Sequence, residues 1–381
     1  MAQSSVDIED SAYVVSCPWH AYDFNVETGE SSVGIKACTF PIEIRGEEVV
    51  LDYPAGSINT PIKVATIEPV SEKVELKRHD TPASIQEQTP SVQYLDDNAS
   101  VCEWAAHILN TANPEHKIDL TTRLFSQFVA REASPSPMDL GRGTVSPPDQ
   151  PPRENLVEVK PWEAPKIGRA GTEKSRIAML HALANVELWA IDLAIDICIR
   201  FATFRTEGNE KELPRAFFHD WLKVASDEAK HFSLLRTRIE EMGSYFGALP
   251  VHHGLWVSAT ETAYNLRSRI SVIALVHEAR GLDVNPMTIE KFRKAGDKKS
   301  VPVLETIHND EITHVTTGHR WLTWICEQEG TDPVQIFRSN VQKHFRGPIR
   351  GPFNEEARMQ AGMDRRWYDS HGAHGDMAVV S

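Results

Sequence analysis

Apolar residues recur with helical spacing over most of the C-terminal two thirds of the chain. The segment 172–204 is apolar nearly all round, which is typical of a buried helix. Helical periodicity is also found after Pro214, over 259–280 and over 301–329. Gly281 is placed to end the third of these helices. The pattern predicts a mainly α fold whose core is a four-helix bundle with additional helices.

The region before the bundle changes character several times. Alternation of apolar and polar residues on both sides of Gly46 predicts two strands. Two later stretches are polar and carry scattered prolines, which is typical of linkers. In chain order, the predicted parts are a small β-rich fragment at 10–55, a linker at 56–99, a helical extension at 100–132, a Pro-rich linker at 133–166, the bundle at 167–346 and a C-terminal tail at 347–381.

Composition narrows the class of protein. The 381 residues are long enough to bury a sizeable core, and no apolar run approaches the ~20 residues of a membrane span. The start of the chain lacks the pattern of a signal peptide. A formal charge of −14 argues against nucleic acid as a partner, and five scattered cysteines do not form a disulfide framework. We expect a cytoplasmic protein with no membrane partner.

The pattern Asp-Glu-x-x-His occurs twice and is the most informative feature of the chain. Its first copy contains Glu228 and His231, and its second contains Glu311 and His314. Residues three apart share one face of a helix, so each Glu and His can point at one metal ion. A single copy would be weak, because Glu and His are common in surface salt bridges. Two copies on predicted bundle helices favour a metal site.

Two further glutamates complete the candidate ligand set. Glu187 precedes the first motif and Glu278 precedes the second, each on an apolar helix. Four helices that supply Glu, Glu-x-x-His, Glu and Glu-x-x-His match the ligands of di-iron carboxylate bundles. In this interpretation Glu228 and Glu311 bridge two metals, and Glu187 and Glu278 are the outer carboxylates. The metals are two irons, with a mixed iron–manganese pair left open.

The aspartate of each motif is a candidate for orienting a ligand. A metal-bound histidine usually donates its second N–H to a carboxylate. We expect Asp227 and Asp310 to accept these hydrogen bonds, each from a histidine on another helix. The alternative is that both aspartates are simply solvated. No catalytic residue beyond the metal ligands is predicted.

Several stretches resemble a ferritin-like family known chiefly as a domain of unknown function. The resemblance runs from about 100 to 367 and implies a di-iron bundle related to tRNA-hydroxylating ferritin-like enzymes, without naming a substrate. The matching stretches include Trp104-Ala-Ala-His-Ile-Leu, His181-Ala-Leu-Ala-Asn-Val-Glu187, Pro250-Val-His-His-Gly-Leu-Trp256, Glu278-Ala-Arg-Gly-Leu-Asp283, Gly351-Pro-Phe-Asn354 and both Asp-Glu-x-x-His motifs.

The N-terminus is similar to the second half of a Rieske iron–sulfur domain. The similarity rests on Cys17-Pro-Trp-His20 and on the residues that follow it. A Rieske cluster takes two cysteines and two histidines, and residues 1–16 contain neither type. Cys17 and His20 are therefore candidate relict cluster ligands, and a 2Fe–2S cluster is not expected in this chain. The fragment is either a degenerate packing module or is completed by a missing half or a partner.

The combined features favour a non-haem di-iron oxygenase or oxidase. It would activate dioxygen to hydroxylate, desaturate or cleave a small organic substrate, with electrons from an external donor. The alternative is a ferroxidase or iron-binding protein without an organic substrate, although roughly 170 residues before the bundle argue against a closed cage. A binding protein with a relict site is a third interpretation. A homodimer is left open.

One prediction concerns the relict ligands. Anaerobically reconstituted full-length protein should show no Rieske signal by absorption or EPR spectroscopy, because Cys17 and His20 supply only one ligand pair. A stoichiometric Rieske spectrum from this chain alone would contradict this interpretation.

Overall fold

The computed structural model describes residues 92–369, except 97, 133, 161–162, 164–169 and 346–348, together with Thr28 and five short strands before residue 52. The chain divides into two compact units, Met1–Ser91 and Val92–Ser381.

The strands of the first unit form two small antiparallel sheets. Strands β1 (Val6–Glu9), β2 (Ala12–Ser16) and β3 (Asp23–Asn25) pair in that order. Strands β4 (Ile42–Arg45) and β5 (Glu48–Leu51) form a hairpin, and they are the two strands predicted around Gly46. Cys17 and His20 lie outside the described residues.

The second unit is mainly helical, as the apolar periodicity predicts. Among its described helices, none combines the length and the apolar character needed to cross a membrane. Its helices are α1 (Val101–Leu109), α2 (Pro114–Glu132), α3 (Glu173–Arg200), α4 (Arg215–Glu241), α5 (Gly254–Glu261), α6 (Leu266–Arg269), a π-helix (Ile270–Glu278), α7 (Ala279–Lys294), α8 (Ser300–Glu329), α9 (Pro333–His344), α10 (Glu355–Gln360) and α11 (Arg365–Tyr368).

Local sequence signals explain some of the helix ends, and one predicted end is absent. Helix α3 begins after Thr172, whose hydroxyl accepts from the N–H of Ser175. Helix α8 ends at Gly330, whose φ of 66° is left-handed and suits glycine. The prediction that Gly281 ends a helix is wrong. The helix continues through α7 with Pro286 inside it, because a proline removes one backbone hydrogen bond without always ending a helix.

Residues 134–160, within the predicted Pro-rich linker, pack against the helices of the second unit. The Met138 side chain is buried. The Arg142 guanidinium donates to the carbonyl of Ala202 at 2.6 Å. The Trp256 indole donates to the carbonyl of Asp149 at 3.1 Å. These contacts make the segment part of the same compact unit as the bundle.

A buried ionic cluster joins this segment to α2 and α3. The carboxylate of Asp192 pairs with the ammonium of Lys117 and, at 2.7 Å, with the guanidinium of Arg153. The Asp192 side chain is fully buried, and the Arg153 guanidinium also lies over the Trp189 ring at 3.7 Å. Burial lowers the pKa of Lys117 to about 8, although Asp192 opposes the shift. Removing either cation would leave a buried charge only partly compensated.

Gly318 sets the distance between α8 and the π-helix. A Cβ atom at this position would lie 2.5 Å from the Cβ of Ala274 and 3.3 Å from a methyl of Leu275. His314 lies four residues before Gly318 on the same helix face. The close approach therefore brings the second motif towards the helix that carries Glu278.

Substituting Gly318 tests this packing. Gly318→Ala should lower the free energy of unfolding by about 1–3 kcal/mol, because overpacking outweighs the better helix propensity of alanine. Gly281→Ala is the matched control, since its Cβ would meet no atom closer than 3.8 Å. That control should be neutral or stabilising by up to about 1 kcal/mol. Urea unfolding measures both, and equal stabilisation by the two substitutions would disprove the close-packing argument.

Candidate metal centre

Four helical elements of the bundle bring the candidate ligands together. Both Glu-x-x-His pairs point inward from one face of their helix, as the three-residue spacing predicts. All of the ligands are buried except Glu278, which is partly exposed. Helix α3 supplies Glu187, α4 supplies Glu228 and His231, the π-helix ends with Glu278, and α8 supplies Glu311 and His314.

These side chains form two overlapping groups of donor atoms. Within each group, one donor atom from every member lies within 4.8 Å of the others. Glu228 and Glu311 belong to both groups, which is the position of a bridging carboxylate between two metals. The first group adds Glu187 and His231, and the second adds Glu278 and His314.

Both histidines turn the same ring nitrogen towards the carboxylates. The Nδ1 atom of His231 lies 3.2 Å from Glu228 Oε2 and 3.4 Å from Glu187 Oε2. The Nδ1 atom of His314 lies 2.9 Å from Glu228 Oε1 and 3.7 Å from Glu311 Oε2. Nδ1 is therefore the nitrogen available to a metal in each half of the site.

The other ring nitrogen of each histidine faces the aspartate of the opposite motif. His231 Nε2 donates to Asp310 Oδ2 at 2.9 Å, and His314 Nε2 lies 3.4 Å from Asp227 Oδ2. The Lys230 ammonium joins the two aspartates at 3.3 Å and 2.8 Å. A proton on Nε2 leaves the Nδ1 lone pair free to bind a metal.

Burial and mutual repulsion shift the protonation of the carboxyl groups. Burial, and then the neighbouring Glu228, raise the pKa of Glu187 well above its usual value. Burial, and then Glu311, do the same to the pKa of Glu278. The pKa of Glu228 is lowered, because His314 and its hydrogen-bond partners outweigh burial. Raised pKa values favour the protonated form of the outer carboxyl groups when no metal is bound, and cations that bind there would release these protons.

Three buried ligand atoms make no well-aligned hydrogen bond, although two of them, His314 Nδ1 and Glu228 Oε1, lie 2.9 Å apart. They are Glu228 Oε1, Glu311 Oε2 and His314 Nδ1. An unpaired buried polar atom costs about 1–3 kcal/mol, and native proteins contain few of them. Their convergence, with hard oxygen donors and two imidazoles, fits a pair of Fe²⁺ or Mn²⁺ ions.

A small cavity of about 20 Å³ adjoins the second group. Its polar lining includes Glu228, Glu278 and His314 from the site. Trp221 and Arg269 also line it, and neither was singled out from the sequence. Arg269 donates to Asp196 from a helix distant in sequence, and helical periodicity carries no signal for such a contact.

The comparisons with known proteins identify the family. Residues 110–369 match the family described as "Protein of unknown function (DUF455)". The chain belongs to this family. It is also 33% identical over 268 residues to a protein of Haemophilus influenzae named "Uncharacterized protein". The aligned region covers 68% of this chain and 90% of that relative. No solved structure matches.

Metal analysis tests the site. Full-length protein loaded anaerobically with Fe²⁺ should hold about two ions per chain, since two donor groups share two carboxylates. Glu311→Ala should lose most of this metal, because both groups contain Glu311. Glu327→Ala, which removes an exposed carboxylate from the same helix, should retain it. Similar metal loss in both variants would refute the ligand assignment.

Proposed function

We propose that this chain is a non-haem di-iron oxygenase or oxidase built on a ferritin-like bundle. The observation that carries the proposal is the pair of donor groups that share Glu228 and Glu311. Two bound irons would supply the redox chemistry that dioxygen reduction requires. An iron–manganese pair would suit the same donors.

The chain's own residues would orient the ligands and keep the site dry. The contacts of His231 with Asp310 and of His314 with Asp227 hold each ring with Nδ1 turned inward. The apolar walls of the cavity beside His314 include Leu193 and Ile273. Its volume is close to the minimum that holds one water, so an organic substrate does not fit in it.

Glu278 is the ligand best placed to exchange protons with solvent. Glu278 is the partly exposed member of the ligand set, and its pKa is raised by burial and by Glu311. A carboxyl group with these properties can carry a proton between solvent and the centre. Glu187, Glu228 and Glu311 are buried and cannot exchange protons with solvent as directly.

The N-terminal similarity to half a Rieske domain supports reduction from outside the bundle. A Rieske centre transfers single electrons, and this chain retains only Cys17 and His20 of the ligand pattern. We therefore propose that an external donor reduces the centre. Three free cysteines of the bundle unit, Cys102, Cys198 and Cys326, suit the reducing conditions of a cytoplasmic setting.

Oxygen consumption tests the proposal. Chemically reduced, iron-loaded protein should consume dioxygen in proportion to its bound iron. Asp310→Asn should lower metal affinity or this rate by about 10- to 100-fold, because His231 loses a charged partner. Asp149→Asn, at an exposed position, is the control and should change neither.

The same experiment separates the storage alternative. If the protein takes up many irons per chain and forms a mineral, without coupling oxygen use to an organic substrate, it is a ferroxidase and the oxygenase proposal is wrong.

A further inference from the structure

A second and much larger cavity lies between α3 and α7. Its volume is about 440 Å³, which is within the usual range for a small-molecule site. Its walls are mostly apolar and come from Met179, Leu183 and Val186 of α3, from Val284 of α7, and from the loop 249–252.

Two side chains of α3 make hydrogen bonds to the backbone of this loop. The Nε2 atom of His181 accepts hydrogen bonds from the N–H of Gly247 at 2.9 Å and of Leu249 at 3.4 Å. The Asn185 amide donates to the carbonyl of His252 at 2.9 Å. Burial lowers the pKa of His181 to about 4, so its ring stays neutral as an acceptor. The cavity therefore has a fixed wall.

One face of α7 leads from the metal centre into the cavity. Gly281, Val284, Thr288 and Lys291 follow one another at three- and four-residue spacing, so they share this face. A Cβ atom at Gly281 would lie 3.9 Å from the carboxylate of Glu311. The other three residues line the cavity. From Gly281 to Lys291 the face is about 15 Å long, at 1.5 Å per residue.

A face of α3 also runs from the metal centre to the cavity. Met179, Leu183 and Glu187 are spaced four residues apart and share one helix face. Met179 and Leu183 line the cavity, whereas Glu187 is a candidate metal ligand. Both helices thus connect the carboxylate cluster at one end with the cavity, and Lys291 lies at the far end.

The far end presents unused hydrogen-bond donors. The Lys291 ammonium and the Thr288 hydroxyl make no ion pair or hydrogen bond with any described residue. They are three residues apart on α7, close enough to contact one anionic group together. Lys294, one turn further, is already paired with Glu290 at 3.4 Å. Among the described residues that line the cavity, the exposed Lys291 is the one lysine or arginine. A cation beside apolar walls favours a negatively charged ligand with an apolar body.

We propose that this cavity binds the organic substrate, and that the substrate is a carboxylic acid with an extended apolar chain. Its carboxylate would contact Lys291 and Thr288, and its apolar end would reach towards Glu187 and Glu311. This proposal rests on the proposed di-iron function for the substrate role, but the binding site itself can be tested without turnover.

Calorimetric titration of the metal-loaded full-length protein tests the binding site. Decanoate should bind with saturation and more tightly than decylamine, which carries the opposite charge. Lys291→Gln should weaken decanoate about five-fold, the effect of one partly exposed ion pair, and leave 1-decanol unchanged. Lys294→Gln, an equal loss of charge on the same helix, should leave decanoate binding unchanged. Val284→Phe, which fills the cavity, should weaken both decanoate and decanol.

Paramagnetic relaxation tests the orientation. In Mn²⁺-loaded protein, the terminal methyl protons of bound decanoate should broaden more than the protons next to its carboxylate. Stronger broadening at the carboxylate end, or equal decanoate binding by wild type and Lys291→Gln, overturns the proposal.

The outcomes separate this proposal from the proposed function. Protein that holds two metals but binds no decanoate refutes the substrate site and leaves the metal centre intact. Protein that holds no metal but binds decanoate through Lys291 keeps the binding site and refutes the di-iron function.

Discussion

The convergence of four carboxylates in a helical core, three of them buried, is the constraint on which the bundle depends. Charged groups removed from water are costly unless they are paired, protonated or bound to metal. Here the outer pair, Glu187 and Glu278, have raised pKa values, and the inner pair belong to both donor groups. Around the site, the Lys230 ammonium is a counter-ion to both Asp227 and Asp310. The clustered carboxylates therefore lower the stability of the fold at this place, and groups with strongly shifted pKa values are typical of a functional site.

The reciprocal contacts between the two motifs make α4 and α8 depend on each other. His231 reaches Asp310 while His314 reaches Asp227, so each helix orients the ligand of the other. A shift of one helix along the other by one turn would break both contacts together. Gly318 adds a steric condition, because it allows α8 to approach the π-helix closely. Because each helix needs the other in place, we expect the two halves of the site to form together.

The sequence predicted the helices and the inward-facing motif residues because both follow from spacing along one helix. Two features did not follow from it. Gly281 was expected to end a helix, yet the chain continues from a π-helix into α7, and a change of helix type leaves no mark in apolar periodicity. The contacts of residues 134–160 depend on partners far away in sequence, such as the carbonyl of Ala202. Proline content describes the stiffness of a segment but not the surface on which it packs.

The ionic cluster around Asp192 has a consequence for how the chain can be divided. Its two cations come from Lys117 in α2 and from Arg153 in the segment before α3. A fragment that starts at the first bundle helix would keep the aspartate and lose both of its counter-ions. An independently stable piece must therefore include α2 and the segment before α3, both of which precede the metal-binding helices. The ligand-bearing helices are not a transferable module, and their stability is encoded partly in a stretch of chain that contributes no ligand.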